Sequence, residues 1–265
     1  FLIRKVKIKH EKYFFCVIKC KIVSLHKNFL TVKKMQFKFT LFNVLILAVF
    51  TQISCGQKVI KLDPYLQAHS KQFEIMNHDN ENDTLHLGHF DIYPDEFNTA
   101  WMRFAKIDRY FANGDIHKFS TSNNDNYVYN NLLMELNDRA LLTEFARAYN
   151  MEIDIPDRFD RAFIAYFYAS HDEYAIIFIQ KNDNDIAGFA SNKYEFYEIG
   201  PIKNYADSDK TEPKLPGYQI VLNRQVVGAY QRTGKPMFYM TNEYCDATEI
   251  IIAGIVGAIN RINQL

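Results

Sequence analysis

Hydrophobic positions change their spacing several times along the chain. Phe97, Trp101, Phe104, Ile107 and Phe111 recur every three or four residues, and Asn113-Gly114 closes the stretch with a pair that tolerates positive φ. This spacing predicts a helix opened by Pro94-Asp95. A second helix is predicted from about Tyr127 to Tyr149, where Tyr129, Leu132, Leu133, Leu136, Ala140, Phe145 and Tyr149 share one face. Ile153 and Ile155 then alternate with acids before Pro156.

Beyond this point the period shortens. Arg161–Ala169 and Tyr174–Gln180 are rich in aromatic and β-branched residues. Ser170-His171-Asp172-Glu173 separates them, so the pair reads as a hairpin. Tyr194–Ile199 and Pro236–Met240 have strand composition, and residues 201–217, with three prolines among charges, read as a surface loop. Tyr218–Tyr230 fits a hairpin turning at Asn223-Arg224 or a helix stopped by Gly234 and Pro236. Asp246 followed by Glu249 reads as an N-cap with an acid three residues on. Ile250–Ile259 behind it is nearly continuous apolar, with Ala253, Gly254, Gly257 and Ala258. That run is too short to cross a bilayer, so it predicts a helix buried on most sides. Two N-terminal helices, a group of antiparallel strands and a buried C-terminal helix make a single α+β domain over residues 85–265. Residues 55–84, polar throughout Asn77–Asp83, read as a tether.

Charge divides the chain differently. The 265 residues carry 31 Lys+Arg and 31 Asp+Glu, a net of zero. Residues 1–54 hold 11 of the basic residues and only Glu11, a net of +10; residues 55–265 therefore hold 20 basic and 30 acidic side chains, a net of −10. The overall pI of about 7.2 averages these two parts. With 48% hydrophobic and 23% charged residues, the composition excludes a disordered tail and a collagen-like fibre. An acidic domain has no electrostatic attraction for nucleic acid or for anionic lipid headgroups.

The basic part has the layout of an export signal. Lys38 precedes an apolar run from Phe39 to Phe50, and Thr51, Gln52, Ile53 and Ser54 lead to Cys55. Ile53-Ser54-Cys55-Gly56 resembles the lipobox of bacterial lipoproteins, with Gln52 where an aliphatic residue is usual. The resemblance spans residues 35–58. It implies a signal peptide over 35–54, a fatty acyl group such as palmitate on Cys55, and attachment to a membrane of the cell envelope through that lipid. Gly56, in place of the aspartate associated with inner-membrane retention, points to the outer membrane, facing the periplasm. Residues 1–34, ahead of the first methionine, Met35, read as a non-native upstream extension. Residues 56–265 resemble no known family.

Candidate chemistry in the acidic part is sparse. His86, His89 and Asp91 form the densest group of metal-type ligands, but there is no HExxH, and in a strand His86 and His89 would face opposite ways. Cys245, ahead of a helix N-terminus, could act as a thiol nucleophile with His171, although Glu243 and Asp246 oppose its ionisation. Neither Asp79-Glu81-Asp83 nor Asp183-Asp185 has the spacing of an EF-hand loop. GxGxxG, GxxxxGK[ST] and GxSxG are absent, so no cofactor is implied. The aromatic residues of the strands, if exposed, could stack on sugars or anchor a protein. The sequence therefore predicts a non-enzymatic binding module in the envelope, with an envelope protein or a glycan as partner. An envelope hydrolase using Cys245 or the His86/His89 group, and a periplasmic immunity-type inhibitor that meets a basic toxin with its acidic surface, are the alternatives.

Overall fold

Phe163, Ala165 and Phe167 alternate along one strand with Ala162, Ile164 and Tyr166, and all six are fully buried. A strand hides both faces only when something covers each of them, and the architecture meets that demand from inside and outside. The computed structural model describes residues 58–77, 83–100, 102, 107–112, 114–125, 127–169, 172–181, 185–192, 194–206, 208 and 215–265. Twelve antiparallel strands close into a barrel. In chain order they are β1 (Ser70–Asn77), β2 (Leu85–Leu87), β3 (Phe90–Pro94), β4 (His117–Asn123), β5 (Val128–Glu135) and β6 (Arg161–Ala169). The second half comprises β7 (Asp172–Gln180), β8 (Ile186–Ser191), β9 (Phe196–Ile202), β10 (Gly217–Leu222), β11 (Gln225–Gln231) and β12 (Met237–Thr241). Each strand pairs with its neighbours in sequence, and β1 closes the barrel on β12, with Ser70 opposite Thr241 and Phe73 opposite Phe238.

The lumen holds a helix. Three named helices are described: α1 (Pro64–His69), α2 (Arg139–Ala148) and α3 (Asp246–Ile262). Every residue of α3 from Thr248 to Ile259 is buried. Its Ile250, Ile251, Ile252, Ile255, Val256 and Ile259 join Leu87, Phe90, Ile92, Phe119, Phe167, Phe178, Ile220 and Phe238 from the inner wall in one core. Burying each isoleucine side chain is worth about 1.5–3 kcal/mol, so α3 contributes a large share of the fold's stability. Two of its glycines mark where the helix backbone meets the wall. A Cβ at Gly254 would lie 2.8 Å from the Phe167 ring, and one at Gly257 would lie 2.8 Å from Ile92.

The outside is covered in patches. α2, with Phe145 and Leu142, and the irregular segments around Ile107–Phe111 and Met151–Ile155 pack over the outer face of β5, β6 and β7. The N-terminal segment carrying Ile60 and Leu66 covers β11 and β12 through Ala229 and Tyr239. It is fastened by Gln231, whose Nε2 donates to the Lys58 carbonyl (3.0 Å) and whose Oε1 accepts from the Ile60 N–H (3.1 Å). By contrast, the outer face of β1–β4 carries Gln72, Glu74, His86, Asp91, Lys118 and Ser122, beside an exposed Met76. The inner wall is therefore apolar, whereas the outer wall is apolar over β5–β7 and largely polar over β1–β4. No described helix is long and apolar enough to cross a membrane.

These findings correct the α+β expectation: the protein is mostly β. The predicted helix over 127–149 is a strand followed by a helix, β5 and then α2. Tyr129 and Leu133 face the lumen core while Leu132 and Met134 join the outer one. A strand apolar on both faces produces a run that imitates a helical stripe. α2 starts at Arg139 because Asp138 caps it, its Oδ1 accepting from the N–H groups of Ala140 (2.8 Å) and Leu141 (3.1 Å). Among the described residues of the helix predicted from Pro94 to Phe111, only Met102 is helical: β3 runs through Pro94, Asp95–Thr99 is irregular, and Asp108–Tyr110 is a turn. Phe97, Ile107 and Phe111 recur helically in sequence, yet they serve as separate anchors on the outer wall. Trp101 and Phe104 lie outside the described residues. Part of the expected tether is structured as α1 and β1. At α3 the N-cap is Cys245, and Asp246 is the first helical residue.

Two consequences can be measured. Gly257→Val pushes two methyl groups into Ile92. Overpacking of this kind costs about 1–3 kcal/mol, so a lower denaturant midpoint is expected; an unchanged midpoint would mean that α3 does not lie against β3. The second concerns Glu249, buried in the first turn of α3, 3.7 Å from His89 and near Lys71 and Asp246. Burial raises its carboxyl pKa above the ordinary 4.5, against the pull of Lys71 and His89. The folded chain therefore keeps this proton where the unfolded chain has lost it. The associated stabilisation is complete at acid pH and is lost as pH rises from about 4.5 through the folded value. Glu249→Gln is expected to remove that slope and raise stability at neutral pH, read from urea midpoints across pH.

Candidate functional site

Antiparallel connectivity sorts the barrel into two rims. One, the upper rim, gathers the turns β2–β3, β4–β5, β6–β7, β8–β9 and β10–β11 with the N-terminus of α3. Gln231, which holds the Lys58 carbonyl, ends β11 at the opposite rim. Tyr129, Tyr174 and Tyr197 begin their strands facing inward at the upper rim, with ring centroids 6.4 Å and 6.0 Å apart in succession. Tyr129 donates to Asp172 (3.2 Å), and both Tyr174 (2.5 Å) and Tyr197 (2.9 Å) donate to Glu195 Oε2. Burial first, and the neighbouring ionisable groups after it, push all three phenols far above their ordinary range. They are permanent hydroxyl donors, not bases.

Glu195 reaches outward as well. It lines an open groove of about 380 Å³ together with Asn150, Glu152, Ser191, Asn192, Tyr194, Phe196 and Asn223. Each element presents a residue for a local reason. Asn150 (φ 55°) lies just beyond the end of α2, where the left-handed conformation suits asparagine. Asn223 (φ 51°) and Arg224 (φ 70°) form the two-residue turn of the β10–β11 hairpin, which needs two left-handed residues. In the β8–β9 turn, Asn192 Oδ1 accepts from the N–H groups of Tyr194 (2.7 Å) and Glu195 (2.6 Å). That leaves the Tyr194 side chain 90% exposed at the tip. Phe189 and Phe196, on the two strands that flank this turn, stack at 5.9 Å.

The residues singled out in the sequence do not converge. His86 is bonded to Asp91 across the β2–β3 pair (Nδ1–Oδ1 2.5 Å), while His89 sits in the turn against Phe90 and faces Glu249. Among the described residues, no group of three or more His, Cys, Asp or Glu is placed to hold a metal ion. Cys245 is exposed, and its Sγ lies 3.5 Å from the Thr248 hydroxyl. His171 and Cys55 lie outside the described residues. Sequence reasoning missed the groove. Its signal was the tyrosine in Ser191-Asn192-Lys193-Tyr194-Glu195, a polar stretch between two apolar strands, where turn chemistry has no use for a large ring.

No protein-family model, curated protein or solved structure matches the chain.

The thiol offers a direct test of the rim's electrostatics. The Thr248 hydroxyl, then the Thr248 and Ala247 backbone N–H groups, lower the Cys245 pKa below its ordinary 9.0. Alkylation rates are expected to reach half their maximum below pH 9.0, and Thr248→Val should move that midpoint upward. Identical profiles for the two proteins would show that the hydroxyl does not reach the thiolate.

Proposed function

We propose that the protein is a lipid-anchored component of the cell envelope that works as a non-enzymatic binding module, using the upper-rim groove as its binding surface. The observation that carries this reading is the contrast between lumen and groove. The lumen, where many barrels hold ligands, is occupied by α3 and fully buried aromatic rings. The groove is open and of mixed polarity, and among the described residues the side chains of Asn150, Glu152 and Asn223 have no hydrogen-bond partner. A closed barrel is compatible with an envelope protein. The described chain also enters at the rim opposite the groove, a polarity that suits a module presented from a surface. A hydrolase receives less support. The hydrogen-bond partner of Cys245 is a hydroxyl rather than a base, and His86 and His89 turn to different carboxylates.

Anchoring and binding are tested separately. Growth with an alkyne analogue of palmitate is expected to label the wild-type chain and leave Cys55→Ser unlabelled and released from membranes. Label that persists in Cys55→Ser removes the anchor. The released Cys55→Ser protein is then expected to sediment with purified envelope material; failure to do so removes the binding role.

A further inference from the structure

We infer that the upper-rim groove is a carbohydrate site, with Tyr194 as the stacking platform for one face of a sugar ring. This assignment deepens the binding role proposed above and rests on it. At about 380 Å³ the groove falls within the small-molecule range. Its donors and acceptors are mixed. Asn150 and Asn223 offer whole amides. Asn192 spends its oxygen on the turn and keeps its NH2. Glu195 spends Oε2 on two tyrosines and keeps Oε1, and Glu152 is an uncommitted acceptor. Sugar hydroxyls donate and accept from the same atom, so a row of amides and carboxylate oxygens satisfies them in pairs. The other half of a sugar is a patch of C–H groups, which needs a flat apolar partner. Tyr194, 90% exposed with its backbone locked by Asn192, supplies one without further ordering of its backbone.

Other ligand classes fit less well. An anionic ligand would meet Glu152 and Glu195 with no described cation among the lining residues. An ammonium or guanidinium group could use the carboxylates and the ring. It carries only donors, however, and would leave three amide NH2 groups facing donors. The rim is also pre-organised: Tyr174 and Tyr197 hold Glu195, and the β8–β9 and β10–β11 turns are fixed by backbone geometry.

The test uses folded Cys55→Ser protein and immobilised neutral oligosaccharides of hexoses and N-acetylhexosamines, with oligolysine as the competing probe. Binding to at least one neutral oligosaccharide is expected. It should weaken about tenfold or more in Tyr194→Ala and stay within about twofold in Tyr194→Phe, with thermal midpoints unchanged because the ring is exposed. Sugar binding that is unaffected by Tyr194→Ala, or binding of oligolysine alone, overturns the assignment. Binding of neither probe overturns it too. In all three cases continued sedimentation with envelope material would leave the binding module standing, whereas loss of that sedimentation would remove both.

Discussion

Closing twelve strands into a barrel creates a lumen that side chains from the wall cannot fill by themselves. Barrels of about eight strands are just narrow enough to be packed by their own inward residues, and much larger ones leave a water-filled channel. This protein lies between those limits and takes a third course, threading a helix of 17 residues through the opening. Everything else follows from that choice. The inward residues must be apolar, so Leu87, Ile92, Phe119, Phe167 and Phe238 line the wall. The helix must be apolar on every side, so ordinary amphipathic patterning is absent. Where helix and wall meet most closely, one partner has to be glycine, as at Gly254 and Gly257 on α3 and Gly228 on β11.

Filling the lumen also leaves the rim as the place where a concave surface remains open. The inner wall is committed to packing, and much of the outer wall is covered by α2 or by the N-terminal segment. Turns are freer. The upper-rim tyrosines have one foot in each region: their rings belong to the core, while their hydroxyls orient Glu195 for the groove outside. A carboxylate held by two buried phenols is positioned by the core without being buried in it, the kind of fixed polar group that a binding site requires.

The sequence was most legible where local signals and tertiary context agreed. Arg161–Ala169 and Tyr174–Gln180 read as a hairpin and form one, with Arg161 opposite Gln180. The turn at Asn223-Arg224 was one of two options, and the paired left-handed residues realise it. The long apolar run after Cys245 could only be an enclosed helix. Misreadings arose where burial on both faces erased the period-two signal. Leu132-Leu133-Met134 is apolar at every position because lumen and outer cover both claim it. Phe97, Ile107 and Phe111, spaced like a helix in sequence, pack against the outer wall. β8, Ile186–Ser191, escaped notice because small residues, Ala187, Gly188 and Ala190, fill three of its six positions. The groove was illegible for a different reason. It is assembled from α2's end and two turns that are far apart in sequence, and no local pattern announces their meeting.

The position of α3 after all twelve strands gives the fold a direction in time. During synthesis the wall is complete before its filling leaves the ribosome, so for an interval the chain can pair its strands but has nothing to close them around. Such contacts are non-local and slow to form, and an unfilled sheet exposes its apolar inner face to other chains. A chain that loses α3 suffers a defect of the whole molecule, since the inner face of the barrel wall packs against it.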